Sequence, residues 1–273
     1  MNKRRAFAVS ALALILAGCG GGDDGFSFNV PSAIDNGRGS VVTVPPESVQ
    51  RFTAEQFTAR LQASAQGRAL QNITGAPKCG VDLRYLEYRT VGGQAEATNA
   101  TASIMVPTGS DAACSGQRPV LLYAHGTTVA RNFNIARWTD ANQPAAAEGQ
   151  MVAAMFAAQG FIVVAPNYAG YDKSTLGYHP YLNGDQQAKD MVDALSAARK
   201  TFPLIEARDS QALFVTGYSQ GGYVALARTA NCRPTAGPSP PRRRCRRPRP
   251  SACWWTTASA AGRRWARRCS RRC

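Results

Sequence analysis

A serine stands in the middle of the segment Gly217-Tyr218-Ser219-Gln220-Gly221, with an apolar run before it and a helical pattern after it. The apolar run, 212–216, is typical of a buried strand, and the helical pattern covers 220–228. Glycines two positions on either side of a serine admit a tight, strained turn that lifts the hydroxyl above a sheet. The spacing therefore predicts Ser219 as the nucleophile of an acyl transfer, and a coincidental serine in a turn is the alternative.

Two neighbours of this serine have expected roles. The N-terminal end of a helix favours a developing negative charge. The backbone N–H of Gln220 is therefore expected to donate a hydrogen bond to the oxyanion that forms during acyl transfer. Gly222 is expected to allow tight packing of the helix on the strand.

The chain has two histidines, and both precede Ser219. His125 follows the apolar run 120–124, and we expect it to support the loop after that strand. His179 lies in the segment Tyr178-His179-Pro180-Tyr181, where it either touches substrate or has a capping or packing role. A serine hydroxyl is a weak nucleophile and needs an adjacent base.

The pattern of apolar residues predicts the elements that must hold these side chains. A helix is predicted at 54–69 and two strands at 82–88 and 102–107, after an irregular lead-in at 26–50. From Pro119 on, strands alternate with helices, which is typical of a mostly parallel sheet flanked by helices. The strands are predicted at 120–124, 161–166 and 212–216, and the helices at 145–159, 186–200 and 220–228. The predicted fold class is α/β.

Residues 79–230 resemble the N-terminal half of an α/β-hydrolase and are similar to secreted bacterial esterases and lipases. The matching segments are His125-Gly126, Pro166-Asn167-Tyr168-Ala169-Gly170 and the serine motif, each at the end of a predicted strand. The resemblance implies an incomplete α/β-hydrolase fold, with C-terminal strands missing, and a small-molecule or lipid ester as substrate. In the family the loop after His-Gly supplies a second oxyanion N–H, which corresponds here to Thr127, with Thr128 as the alternative.

The resemblance also implies a substrate pocket built partly by the loop around residues 168–183. Its candidate substrate contacts are Tyr168, Tyr171 and His179. Peptidases and amidases of the same superfamily share the serine motif, so they remain an alternative to an esterase.

The family's catalytic residues follow the order Ser, then Asp or Glu, then His. No His, Asp or Glu follows Ser219 in this sequence, and Asp190 and Asp193 are expected to be ordinary carboxylates on a helix face. Loss of the acid and the base is expected to cost about three to six orders of magnitude in rate. We therefore expect a nearly inactive hydrolase, and a non-catalytic envelope lipoprotein is the alternative.

The N-terminus has the pattern of an export signal. Three basic residues, 3–5, precede an apolar run at 6–17, which is too short to span a bilayer. The run ends in Leu16-Ala17-Gly18-Cys19, which resembles the lipobox of bacterial lipoproteins. The resemblance implies cleavage before Cys19, its lipidation, and anchoring to the cell envelope at the outer membrane, facing the periplasm or the cell surface. An ordinary cleaved signal that happens to contain a cysteine is the alternative.

The predicted division of the chain is a signal peptide at 1–18, a lipidated cysteine and flexible tether at 19–50, part of a hydrolase domain at 51–232, and a tail at 233–273. We expect a monomer.

In an oxidising compartment Cys79 and Cys114 are candidates for a disulfide, with two free buried thiols as the alternative and the pairing of Cys232 open. Metal-ligand spacing is absent, and neither a metal nor another cofactor is expected.

The net charge of +15 comes mostly from the tail. Residues 233–273 contain 13 Arg, no acidic residue and no Val, Ile, Leu, Met, Phe or Tyr, whereas residues 1–232 hold 19 Lys and Arg against 17 Asp and Glu. No buried parallel strand can be built from such a composition. We interpret the tail as disordered and as the product of a shifted reading frame. A basic segment that binds anionic lipid and a genuine non-catalytic protein are the alternatives, and no nucleic-acid partner is expected for an exported protein.

Overall fold

The computed structural model describes residues 37–230, which form a six-stranded mixed sheet with flanking helices within that range. The strands are β1 (Glu47–Phe52), β2 (Gly80–Val91), β3 (Ala97–Thr108), β4 (Arg118–Ala124), β5 (Ile162–Pro166) and β6 (Asp209–Gly217). The α-helices are α1 (Ala54–Gln62), α2 (Ala65–Thr74), α3 (Ala112–Ser115), α4 (Ala146–Met155), α5 (Gly184–Thr201) and α6 (Gln220–Ala230). Short 3-10 helices occupy Ile135–Arg137, Ala157–Gln159 and Phe202–Ile205.

The strand order is β1-β2-β3-β5-β4-β6. β4 pairs in parallel with β5 and with β6, and the pairs on the other side of β5 are antiparallel. The carboxyl ends of β4, β5 and β6 consequently meet at one edge of the sheet, where the segments after Ala124, Pro166 and Gly217 begin. This is the edge at which open α/β sheets place their ligands.

Buried aliphatic side chains explain why the central strands form. In β5, Ile162, Val163 and Val164 are fully buried, as expected for a strand covered on both faces. The β2–β3 hairpin pairs without a break from Gly80 opposite Thr108 to Val91 opposite Ala97. The hairpin and the central strands share one continuous hydrophobic core.

The helical segments on either side of the candidate site begin and end at recognisable capping residues. Asn183 precedes α5 and its side chain accepts a hydrogen bond from the N–H of Gln186. Asp185 lies in the first turn of this helix and Arg199 and Lys200 in the last, which complements the helix dipole. Gly160, with a φ of 101°, ends the segment that follows α4.

Two expectations about the N-terminal part of the domain are wrong. The helix expected at 54–69 is broken into α1 and α2, because Ser64 caps a new helix by accepting from the N–H of Gly67. Residues 47–50 were expected to be irregular but belong to β1, which pairs with β2 at the sheet edge. A strand that pairs on one side and is mostly exposed lacks the apolar alternation by which strands are recognised.

Cys79 and Cys114 form a disulfide, with their Cα atoms 5.4 Å apart. Both residues are buried. The bond closes a loop with a sequence separation of 35 and attaches α3 to the start of the β2–β3 hairpin.

Several expectations lie outside the described residues: the signal at 1–18, Cys19 and most of the tether, Cys232, and the tail at 233–273. Within residues 37–230, no helix is long and apolar enough to cross a membrane.

Candidate active site

Ser219 lies at the junction of β6 and α6 with a backbone φ of 52°. This left-handed conformation is uncommon for a residue with a side chain and marks a strained turn. A Cβ on Gly217 would lie 2.2 Å from the carbonyl oxygen of Gly221, and one on Gly221 would lie 1.9 Å from that of Ala124. Both contacts are impossible, so the turn requires glycine at both positions. The side chain of Ser219 is exposed.

Gly222 does not have the packing role expected from the sequence. A Cβ at this position would come no closer than 3.7 Å to its nearest neighbour, the carbonyl oxygen of Gly217. This is an ordinary van der Waals distance. The close approach of helix to sheet occurs one residue earlier, at Gly221, because that residue faces the end of β4.

The first N–H groups of α6 differ in their partners. The N–H of Gly221 donates to the carbonyl of Tyr218 at 2.7 Å, and that of Gly222 donates to the carbonyl of Ser219 at 2.9 Å. The N–H of Gln220 has no hydrogen-bond partner within residues 37–230. A donor beside the serine is therefore available to a ligand.

His125 fixes the direction of the peptide group between Gly126 and Thr127. Its Nδ1 lies 2.7 Å from the carbonyl oxygen of Gly126, which points toward the interior. In a trans peptide the carbonyl and the following N–H point in opposite directions, so the N–H of Thr127 points away from the His125 ring. The N–H of Gly126 is held by the carboxylate of Glu148 at 3.0 Å. Thr127 itself is exposed.

The environment of His125 excludes it as a general base. The ring is fully buried, between Phe133 and Tyr168 at centroid distances of 4.3 and 4.1 Å. Burial lowers its pKa to about 4, and the hydrogen bonds to the carbonyls of Asn167 and Gly126 oppose this shift only in part. A neutral ring donates from one nitrogen only, and the 2.7 Å contact to Gly126 favours Nδ1 as the donor.

His179 connects the loop after β5 to the serine turn. Its Nδ1 lies 3.0 Å from the carbonyl oxygen of Ala169, so Nδ1 carries the proton. Its Nε2 accepts from the side-chain amides of Gln220 at 2.8 Å and of Gln187 at 3.2 Å. Burial, with a smaller effect of nearby His125, lowers the pKa of His179 to about 4. Because both amides point at its lone pair, His179 does not act as a base toward Ser219.

Tyr168 and Tyr171, which were expected as substrate contacts, point into the protein. Tyr168 is fully buried and donates to the carbonyl of His125 at 3.1 Å. Tyr171 is also buried and donates to the carbonyl of Thr128 at 2.6 Å. Their hydroxyls satisfy backbone groups of the loop after β4, and this leaves neither ring accessible to a substrate.

The sequence prediction missed the apolar side chains that are exposed around the serine turn. Tyr218 is 65% exposed, Tyr181 54% and Leu182 46%. Leu182 has a φ of 55°, and its carbonyl accepts from the hydroxyl of Tyr223 in α6 at 2.8 Å. The Leu182 backbone is strained, and such strain cannot be predicted from the pattern of residue types.

Asp190 and Asp193 are not the helix-face carboxylates expected from the sequence, because α5 turns both toward the sheet. Asp190 is fully buried and accepts from the hydroxyl of Tyr88 at 2.6 Å and the N–H of Ala169 at 2.7 Å. Burial raises its pKa to about 6. Asp193 accepts from Thr90 and Arg38. Both carboxylates hold neighbouring segments and are not hydrogen-bonded to either histidine in the described range.

Comparisons with known proteins agree with the fold. The model of the prolyl oligopeptidase family (Peptidase_S9) matches residues 149–234. The structure is similar to a rice cell wall degrading esterase, LipA, from Xanthomonas oryzae, with a TM-score of 0.60 and 28% identity over 71% of this chain and 46% of that one. A putative hydrolase from Legionella pneumophila gives a TM-score of 0.57 and 23% identity over 69% of this chain and 46% of that one. No curated protein matches the sequence. The chain thus spans about half the length of the solved structures it matches.

Proposed function

We propose that this chain, a member of the α/β-hydrolase superfamily, carries the nucleophile of a serine esterase at Ser219. The observation on which this proposal depends is the strained turn at Ser219, where a φ of 52° sets an exposed hydroxyl at the start of α6. The requirement for glycine at 217 and 221 supports it, because such a turn has no role in simply joining a strand to a helix.

In the proposed reaction the Oγ of Ser219 forms a bond to the acyl carbon of the substrate. The electron pair of the carbonyl moves to its oxygen, and the N–H groups of Gln220 and Thr127 donate to that oxyanion. When the carbonyl re-forms, the bond between the acyl carbon and the alkoxy oxygen breaks. The alcohol leaves with the proton taken from the serine, and an acyl-enzyme remains. The serine proton must pass to a base, and neither His125 nor His179 is free to take it.

Carboxylic esters are the proposed substrates. The esterase from Xanthomonas oryzae supports this choice, since it is 28% identical over the shared region. The match to the prolyl oligopeptidase family favours a peptidase as the second candidate. A panel of p-nitrophenyl esters and aminoacyl-p-nitroanilides, assayed with a protein whose reading frame has been restored, separates the two. A peptidase is expected to cleave the anilides with a kcat/KM comparable to that for the esters.

We propose that the 273-residue chain has little activity, since no Asp, Glu or His follows Ser219. Export and a lipid anchor at Cys19 complete the proposal and rest on the N-terminal residue pattern.

A shifted reading frame is the proposed origin of the tail at 233–273. Translation of the gene in its other two frames beyond codon 228 tests this origin: aliphatic strands with an Asp and a later His would support it, and stop codons in both frames would refute it.

A fluorophosphonate probe tests the nucleophile. We expect Ser219 to be labelled in a protein whose reading frame has been restored, and Ser219→Ala to abolish the labelling. The 273-residue chain is expected to react at least about 1000-fold more slowly, because it lacks the base that activates serine. Labelling that survives Ser219→Ala would refute the assignment. A frame-restored protein that is folded but neither labelled nor active would instead support a non-catalytic envelope protein.

A further inference from the structure

The segment between β5 and α5, residues 167–183, is called here the β5–α5 loop. It touches the loop after β4 at many points. The guanidinium of Arg131 donates to the carbonyls of Gly170 at 2.6 Å, Ser174 at 2.7 Å and Leu176 at 2.8 Å. In return, the N–H of Asp172 donates to the carbonyl of Arg131 at 2.6 Å. The β5–α5 loop and the segment that carries Thr127 are therefore held together as one unit.

This unit reaches the serine turn through His179. The imidazole lies between the carbonyl of Ala169, to which Nδ1 donates, and the side-chain amide of Gln220, which donates to Nε2 at 2.8 Å. The ring also packs against Tyr168 and Tyr171, at centroid distances of 5.6 and 4.6 Å. Packing and hydrogen bonding thus act on the same ring, and they can be separated by substitution.

The side chain of Gln220 is the part of the serine turn that this contact holds. Gln220 is 4% exposed although it directly follows an exposed serine. With its amide fixed on His179, rotation of the first peptide group of α6 would break a buried hydrogen bond. The free N–H of Gln220 is on that peptide group. Its carbonyl, that of Ser219, accepts from the N–H of Gly222 at 2.9 Å, and the contact with His179 holds the group from a second side.

We propose that His179 is a positioning residue that fixes the direction of the Gln220 N–H relative to the loop that carries Thr127. The imidazole joins the two donors of the oxyanion hole through Ala169 on one side and the Gln220 side chain on the other. The catalytic meaning of this role rests on the proposed function, whereas the positioning itself does not.

The chain offers a matched control for this role. Tyr223, one turn further along α6, donates to the carbonyl of Leu182 at 2.8 Å and so also joins the β5–α5 loop to this helix. Tyr223→Phe removes one hydrogen bond between the same two elements but leaves Gln220 untouched. A general loosening of the loop would appear in both variants, and positioning of the Gln220 N–H only in the His179 variants.

Hydrogen–deuterium exchange on the full chain at pH 7 tests the proposal. His179→Phe keeps a ring against Tyr168 and Tyr171 but removes all three hydrogen bonds of the imidazole, to Ala169, Gln187 and Gln220. His179→Gln keeps an acceptor for the Gln220 amide but removes the ring. We expect His179→Phe to accelerate exchange in the peptide covering 217–224 about tenfold, the effect of losing the one buried hydrogen bond that the ring makes to this peptide, through Gln220. His179→Gln is expected to stay within about threefold of the parent, and Tyr223→Phe to leave this peptide unchanged.

The β2–β3 hairpin serves as internal reference, because exchange there reports global unfolding. Exchange of the 217–224 peptide at the parent rate in His179→Phe would overturn the proposal, since packing alone would then suffice. Equal acceleration in Tyr223→Phe would overturn it as well. Failure of the fluorophosphonate labelling would refute the nucleophile assignment without changing the exchange rates, so the two proposals fail separately.

Discussion

At the scale of single residues, the turn at Ser219 depends on contacts that differ sharply between neighbours. Gly221 faces the carbonyl of Ala124, where a methyl group has no space, whereas a methyl group on Gly222 would have its nearest neighbour at an ordinary van der Waals distance. Two adjacent glycines of one helix thus differ in whether they tolerate a side chain. This difference offers a direct test of the turn that does not need enzymatic activity.

We predict that Gly221→Ala destabilises the protein and that Gly222→Ala does not. The added Cβ at 221 would lie 1.9 Å from the Ala124 carbonyl oxygen, so β4 and α6 must move apart. Forced overpacking of this kind costs about 1–3 kcal/mol or more. An added Cβ at 222 meets nothing closer than 3.7 Å, and alanine in a helix is favoured over glycine by about 0.5–1 kcal/mol.

The measurement is the free energy of unfolding from urea titration, with unfolding followed by circular dichroism. The parent chain and both variants are compared at one pH. Equal stabilities of the two variants would show that α6 does not approach β4 as described.

At the scale of elements, three loops at the carboxyl ends of β4, β5 and β6 build the candidate site. The β5–α5 loop is central because it contacts the other two, through Arg131 and Tyr171 on one side and His179 on the other. The buried carboxylate of Asp190 holds the start of this loop from α5 by accepting from the N–H of Ala169. Rigid positioning of backbone donors is what an oxyanion hole needs.

A different element is held by the disulfide between Cys79 and Cys114. We predict that Cys79→Ser combined with Cys114→Ser lowers the free energy of unfolding by about 3–4 kcal/mol, because the bond restricts the unfolded chain over a loop of that length. Urea titration of the parent with and without a reductant, beside the double variant, measures the loss. The parent in reductant is expected to match the double variant, and a reductant effect that persists in the double variant would assign it to other cysteines.

At the scale of the whole molecule, two buried histidines and one buried aspartate change the stability with pH in opposite directions. Burial lowers the pKa of His125 and of His179 to about 4, below their unfolded value. Their contribution to stability is fully present above the unfolded pKa of about 6.5 and is lost as the pH falls through about 4. Burial raises the pKa of Asp190 to about 6, so its contribution is present at low pH and is lost as the pH rises through about 6.

We predict that near pH 5 these three groups together take up about one proton on unfolding, since two histidines gain a proton each and Asp190 loses one. His179→Phe removes one histidine and is expected to reduce the slope of unfolding free energy against pH at this point by about 1.4 kcal/mol per pH unit. Urea titrations between pH 4 and 8 measure both slopes. An unchanged slope in His179→Phe would show that this imidazole is charged in the folded protein.

The sequence by itself determined the class of fold and the place of the strained turn at Ser219. Runs of buried aliphatic residues alternating with helical patterns specify a sheet with parallel strands, and glycines around Ser219 specify a strained turn at the end of one of them. Both signals are local, because they depend on residues within a few positions of one another. For the same reason β1, which is mostly exposed, and the break between α1 and α2 were missed.

Only the tertiary structure decided which side chains surround that turn. Tyr168 and Tyr171 were expected to contact the substrate and are buried. Asp190 and Asp193 were expected to be ordinary carboxylates on a helix face and instead hold neighbouring segments. His179 contacts Gln220, which lies 41 residues further along the chain. The type of a residue determines which hydrogen bonds its side chain can form but not which partner it contacts. The packing of α5 and of the β5–α5 loop against the sheet determines those contacts, since it brings together groups that are distant in the chain.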